Sequence, residues 1–212
     1  MIIKSFELNK INLEKSNFFL LYGENEGFKN EVIKKKFENK FDQNIYRYEE
    51  KEILDNKENF FNSITTKSFF DDKKLIIISR ATDKIKDLID HIIEKNIVDI
   101  IVILNAGILE KKSKLRNYFE KDKQKGIVAC YQDDERKLLN YINLRLKGFK
   151  GITPEIVNLI VTNSNLNRRV IKNEISKIKL CFDKKIIEKD KLEELLNIKS
   201  DETLTKLETR VC

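Results

Sequence analysis

Residues that bind transition metals or act as catalytic nucleophiles are scarce in this sequence of 212 residues. It has one histidine, His91, and three widely spaced cysteines, Cys130, Cys181 and Cys212. No Cys-x-x-Cys pair occurs, so zinc and iron–sulfur sites lack ligands. A Ser-His-Asp triad would have to use His91, and no Gly-x-Ser-x-Gly turn is present. The few scattered cysteines predict a reduced, cytoplasmic protein without a metal site.

Long apolar runs are missing as well. No stretch of 18 or more apolar residues occurs, so the sequence predicts no membrane-spanning helix and no membrane partner. Residues 1–5 lack a basic segment followed by an apolar one, which argues against a secretory signal.

Arginine is the rarer of the two basic residues. The chain carries 42 Lys and Arg against 35 Asp and Glu, a net charge of +7, but only 8 of the basic residues are arginine. Bidentate recognition of phosphates and bases favours arginine over lysine. A sequence rich in Lys, Ile, Asn and Phe is typical of an AT-rich genome. The positive charge is therefore compatible with an anionic polymer as partner but does not identify one.

Short apolar runs alternate with helical patterns along the first two thirds of the chain. Strands are predicted at residues 18–22, 45–48, 75–78, 97–104 and 126–131. Continuous β-branched runs separated by helices indicate a parallel sheet that is covered on both faces. We therefore predict an α/β domain of about five strands over residues 1–142.

The remaining residues, 143–212, are predicted to form a small helical domain. Acidic residues at 133–135, just before this domain, are typical of a helix start. Two further helix starts are predicted within the domain, at Thr153 before Pro154 and at Asn167. The spacing of the apolar residues predicts three short helices in this domain.

An α/β domain followed by a small helical domain is the layout of AAA+ ATPases, whose phosphate-binding loop reads G-x-x-x-x-G-K-[ST]. After the first predicted strand, residues 23–30 read Gly-Glu-Asn-Glu-Gly-Phe-Lys-Asn. The glycines are one residue too close, Phe28 precedes the lysine, and no hydroxyl follows Lys29. Glu24 and Glu26 would repel a polyphosphate. No acidic pair for magnesium follows Leu104 either, so we expect neither a nucleotide cofactor nor ATP hydrolysis.

Several segments, taken in order, resemble one protein family. They lie at residues 21–26, 69–78, 109–115, 133–138, 152–155 and 165–180. Together they resemble the delta subunit of the bacterial DNA polymerase III clamp loader over about residues 1–200. The resemblance implies an AAA+-like fold with a degenerate nucleotide site and a lid-type helical domain. It also implies a non-catalytic subunit of a DNA-directed DNA polymerase holoenzyme.

In that family the delta subunit binds the ring-shaped sliding clamp and helps to open it during DNA replication. The resemblance implies that Phe69 and Phe70, preceded by Ser68, make the contact. Two adjacent phenylalanines are most often core residues, but two neighbours on a helix cannot both face one core, and acidic residues 71–72 follow directly. Together with the resemblance, this favours an exposed apolar anchor over a core position. Phe60 and Phe61 are predicted to lie in the core. Further partners implied are the other clamp-loader subunits and primer–template DNA.

Two basic groups are candidates for a weak DNA contact. They are Lys111, Lys112 and Lys114 in a lysine-rich segment, and Arg168 with Arg169 at a predicted helix start. The alternative for both groups is a solvated surface.

Members of the family carry a third, helical collar domain that joins them to the other subunits. Residues 201–212 do not resemble its beginning, so we expect a collar-less chain, from either a truncated sequence or a damaged reading frame. Two alternative functions stay open: a divergent P-loop-like NTPase and a stand-alone basic nucleic-acid-binding module.

Overall fold

The computed structural model describes residues 2–3, 7–41, 44–66, 73–97 and 99–197. The chain divides into two compact units, Met1–Gln132 and Asp133–Cys212. The predicted boundary at residue 142 falls inside helix α6 (Glu135–Arg145). The structure assigns this whole helix to the second unit, because its buried residues Leu138 and Ile142 belong to the core of that unit.

The first unit is built on a six-stranded sheet in the order β1-β6-β2-β5-β4-β3, in which all neighbouring strands are parallel. The strands are β1 (Ile2–Ile3), β2 (Phe18–Tyr22), β3 (Ile45–Glu49), β4 (Lys74–Ala81), β5 (Ile100–Ala106) and β6 (Gly126–Ala129). The sequence predicted all but β1, which has only two residues and shows no periodic pattern.

Among the described residues of the first unit, five α-helices precede α6. They are α1 (Glu26–Val32), α2 (Glu50–Asp55), α3 (Lys57–Thr65), α4 (Lys86–Glu94) and α5 (Lys114–Lys121). A π turn at Ile33–Phe37 and a 3-10 turn at Glu38–Lys40 continue α1.

Alternate side chains of β5 enter two apolar cores on opposite faces of the sheet. Val102 and Leu104 pack with α3, α4 and α5, whereas Ile101 and Ile103 pack with α1 and its π turn. All four side chains are fully buried. Burial of a side chain of this size contributes about 1.5–3 kcal/mol. Burial on both faces is the reason for the uninterrupted apolar run in the sequence.

The second unit contains α6, α7 (Pro154–Asn163), α8 (Arg168–Cys181) and α9 (Lys189–Leu195). Two predicted helix starts are confirmed. The Thr153 hydroxyl accepts a hydrogen bond from the Ile156 amide, and the Asn167 side chain accepts from Arg169 and Val170. None of the helices that the structure describes is long and apolar enough to cross a bilayer.

Candidate functional site

The loop after β2 packs tightly against the ends of β5 and β6. The Gly23 amide donates to the Gly107 carbonyl oxygen at 2.9 Å, and the Asn25 amide donates to the Cys130 carbonyl oxygen at 3.0 Å. Gly23 has φ +123°, and a Cβ at this position would lie 2.3 Å from the Cys130 carbonyl oxygen. Glycine is therefore required here for backbone conformation and for close approach.

The N-terminus of α1, which follows this loop, is already capped by the protein. The Asn25 side-chain oxygen accepts from the Phe28 amide at 3.0 Å, and its amide group donates to the Tyr131 carbonyl oxygen at 3.1 Å. The Glu24 carboxylate accepts from the Gln132 amide at 3.1 Å. A helix N-terminus binds phosphate through unoccupied N–H groups. Here the Asn25 side-chain oxygen occupies the Phe28 N–H group, and the nearby Glu24 carboxylate is an unfavourable neighbour for an anion.

Lys29 is completely buried and points into the protein. Its Nζ lies 2.6 Å from the Ala106 carbonyl oxygen at the end of β5 and 2.6 Å from Glu26 Oε1. A buried ammonium is stable only when it is paired and hydrogen-bonded, and both partners meet that requirement. This lysine is thus not available to bridge phosphate groups.

These residues do not fit the nucleotide that an AAA+-like fold implies. The backbone of the loop is bonded to Gly107 and Cys130, its lysine is bonded internally, and the residue after Lys29 is Asn30, which has no hydroxyl. Bringing in a polyphosphate would require breaking these contacts and placing it next to Glu24 and Glu26.

Ser68, Phe69 and Phe70, the predicted clamp-binding residues, lie outside the described residues. On one side of them, α3 ends at Thr65, with Phe60 buried as predicted. The prediction that Phe61 lies in the core is only half right, because its side chain is partly buried.

Phe61 lines an open groove of about 600 Å³ between α3 and α4. The groove is lined by Lys57, Glu58, Phe61, Asn62, Asp87, Leu88, His91 and Lys95. The Phe61 ring meets the His91 ring edge-to-face at 4.9 Å between centroids, and the Lys95 Nζ lies 4.8 Å from the Phe61 centroid. His91, the only histidine of the chain, is thus a groove-wall residue.

The lysine candidates for a DNA contact are exposed at the carboxyl edge of the sheet, between β5 and the first turn of α5. Lys112 lies 2.9 Å from the Glu110 carboxylate. Lys111 and Lys114 are also exposed.

The two arginine candidates belong to the second unit and differ from each other. Arg168 stacks on the Tyr141 ring at 4.1 Å, donates to the Asp133 carboxylate at 2.9 Å, and is only 14% exposed. Arg169 is exposed. The solvated-surface alternative therefore suits Arg169 but not Arg168.

Sequence reasoning missed Asp83, which fixes the start of α5. Its carboxylate accepts hydrogen bonds from the Ser113 hydroxyl at 2.6 Å, the Leu115 amide at 3.0 Å and the Lys114 amide at 3.1 Å. The hydrogen bond from Ser113, more than any other contact, holds the Asp83 pKa below its usual value of 3.8. No sequence signal connects residues that are 30 positions apart.

This chain is similar to known proteins in sequence and in structure, whereas no protein-family model matches it. The probable DNA polymerase III subunit delta of Rickettsia prowazekii is 26% identical over 175 residues, which are 82% of this chain and 52% of that protein. The chain thus spans about half the length of this relative.

Among solved structures, the Bacillus subtilis DNA clamp loader delta protein matches with a TM-score of 0.58 and 18% identity, over 90% of this chain and 62% of its own. RuvB from Thermotoga maritima matches with a TM-score of 0.58 and 14% identity, over 92% and 66%. At these identities the structural likeness concerns the fold. The predicted AAA+-like fold and the resemblance to the delta subunit are confirmed.

Proposed function

We propose that this chain is a delta-type clamp-loader subunit that binds the sliding clamp and stabilises its open form during DNA replication. Sequence similarity to a delta subunit supports a replication role. Lys29 also supports the proposal, because it is buried and bonded to the protein itself. This distinguishes the chain from AAA+ proteins that act through a bound nucleotide. Such a subunit acts by binding alone.

The binding step we propose uses Phe69 and Phe70 as apolar anchors, with Ser68 beside them. Burying two phenylalanine side chains in a partner contributes about 3–6 kcal/mol before the costs of association. A subunit that binds the open ring more tightly than the closed ring shifts the population towards the open ring. The other clamp-loader subunits and primer–template DNA are the remaining proposed partners.

Titration of the cognate clamp with the Phe69→Ala, Phe70→Ala double variant tests this proposal. We expect the affinity to fall about 100-fold or more, since each tenfold loss corresponds to about 1.4 kcal/mol. The matched control is the Leu144→Ala, Leu180→Ala double variant, which removes apolar side chains that are 74% and 82% exposed in the second unit. Equal affinity of the two double variants for the clamp would overturn the proposed anchor.

Incubation with ATP and Mg²⁺ separates this function from the alternative of a divergent NTPase. We expect no ATP-dependent rise in melting temperature, because a ligand stabilises a protein only when it binds the folded state. Turnover of ATP by the purified chain would contradict a delta-type role.

A further inference from the structure

The exposed face of α8 carries basic residues from its second residue almost to its last. Arg169, Lys172 and Lys179 are all exposed and lie on one side of the helix, at positions i, i+3 and i+10. The rise of the helix spreads them over about 15 Å. The acidic residue of α8, Glu174, is largely buried and pairs with Lys177. We call the three exposed cations the α8 basic stripe, and their own helix offers no charge that neutralises them.

Other elements do not neutralise the stripe either. Several basic residues of the second unit have acidic partners: Lys137 lies 3.1 Å from Asp134, and Lys191 lies 2.8 Å from Glu188. In the part of the chain that the structure describes, none of the three side chains of the stripe forms an ion pair. The positive potential of the stripe is therefore directed towards solvent, where it attracts anions.

Further positive charge lies next to the beginning of the stripe. Two guanidinium groups stack on the Tyr141 ring of α6, that of Arg168 at 4.1 Å from the ring centroid and that of Arg145 at 5.2 Å. Arg168 directly precedes Arg169 in α8. The Asp133 carboxylate, 2.9 Å from Arg168, carries one negative charge against these two guanidinium groups. Like charges thus accumulate where α6 and α8 meet, and a polyanion is the partner that neutralises such a surface.

We propose that the α8 basic stripe binds the phosphate backbone of nucleic acid. Phosphates recur about every 3.4 Å along one strand, so a row of cations about 15 Å long meets several of them at once. An acidic protein would have to present carboxylates at matching positions. Two of the three cations are lysines, which act as point charges and lack the planar fork that reads base edges. The stripe thus contacts the backbone without preference for a sequence.

This inference rests on the part of the proposed function that names DNA as a partner, and it is independent of the clamp. The test compares the full chain with its Arg169→Gln, Lys172→Gln, Lys179→Gln triple variant. Fluorescence anisotropy of a labelled DNA duplex gives the affinity at several salt concentrations, without clamp. We expect the variant to bind about tenfold more weakly at low salt. The slope of log affinity against log salt should fall by about 2 to 3, close to one for each lost phosphate contact.

The matched control is the Lys34→Gln, Lys51→Gln, Lys123→Gln triple variant. It removes the same number of charges from exposed positions of the first unit. We expect it to keep its DNA affinity within about twofold, because salt screens charges that lie far from the bound strand. All six positions are exposed, so melting temperatures close to that of the wild type should show that both variants fold.

Three results would overturn the proposal. Equal losses in the two triple variants would show that net charge alone attracts DNA. An unchanged salt slope in the stripe variant would leave the stripe to solvent or to an acidic protein. A wild-type chain without measurable DNA affinity would remove DNA as a direct partner. None of these results touches the clamp titration, so failure of the stripe is distinguishable from failure of clamp binding.

Discussion

The ammonium of Lys29 donates a hydrogen bond to the Ala106 carbonyl oxygen, 2.6 Å away, and so connects α1 to the carboxyl end of β5. Lys29 is 0% exposed, and its second partner, Glu26, lies on the same helix. In a phosphate-binding loop a lysine near this position reaches outwards to phosphate oxygens. In this chain the lysine stabilises the loop itself.

Lys29→Ala is expected to lower the free energy of unfolding by about 2–4 kcal/mol, because it leaves a cavity and an unpaired carbonyl group. Lys29→Met fills most of the space and is expected to cost about 1–2 kcal/mol. Urea denaturation measures both values. Lys34→Ala, which changes an exposed lysine on the π turn after α1, is the control and should be nearly neutral. If Lys29→Ala matched this control, the internal role of Lys29 would be wrong.

A methyl group at Gly23 cannot be accommodated without backbone movement. Gly23→Ala places a Cβ 2.3 Å from the Cys130 carbonyl oxygen at φ +123°, so we expect a loss of about 2–3 kcal/mol. The control is Gly107→Ala, at which a Cβ meets no atom within 4 Å. Thermal melting compares the two variants. A Gly23→Ala protein as stable as Gly107→Ala would contradict the tight packing of this loop.

The hydrogen bonds of Asp83 predict a specific pH dependence. Because its folded-state pKa is depressed, its stabilisation is complete above its usual pKa of 3.8 and disappears as the pH falls through the lower folded-state value. Asp83→Asn is therefore expected to be less stable than wild type by about 1 kcal/mol at pH 7, a modest value for an exposed group. The difference should shrink below about pH 4. Urea denaturation at pH 7 and pH 3 measures it, and a constant difference would refute this assignment.

In the sequence, the lysine-rich segment follows β5 and the proposed clamp-binding residues precede β4, and these two strands are parallel neighbours. Lys111, Lys112 and Lys114 follow the carboxyl end of β5, whereas residues 67–72 precede the amino end of β4. Changing the three lysines to glutamine is thus expected to leave clamp affinity unchanged. If they contact DNA, the slope of log affinity against log salt for duplex DNA should fall by about 3, roughly one for each phosphate contact. An unchanged slope would favour the solvated-surface alternative.

Predictions that depend on local sequence patterns and predictions that depend on residues far apart in the sequence had different outcomes. Strand β2 was predicted with its exact ends, since an apolar run followed by glycine leaves little choice of conformation. The two-residue β1 carried no pattern to detect. Arg168 was a candidate for a weak DNA contact or a solvated surface, because its partners, Asp133 and Tyr141, are 35 and 27 positions away in the sequence. The clamp-binding residues stay a prediction.

The sequence by itself determined the AAA+-like layout, the helix caps at Thr153 and Asn167, and the loss of the phosphate-loop pattern. These depend on local spacing, on backbone preferences and on which side chains are present. The tertiary structure decided what occupies the place of the lost phosphate site and which side chain caps the end of α3. Lys29 meets Ala106, and Lys74 meets Ser63, only because the parallel sheet brings strand ends and helix ends together. Burial then makes hydrogen bonding of both ammonium groups obligatory.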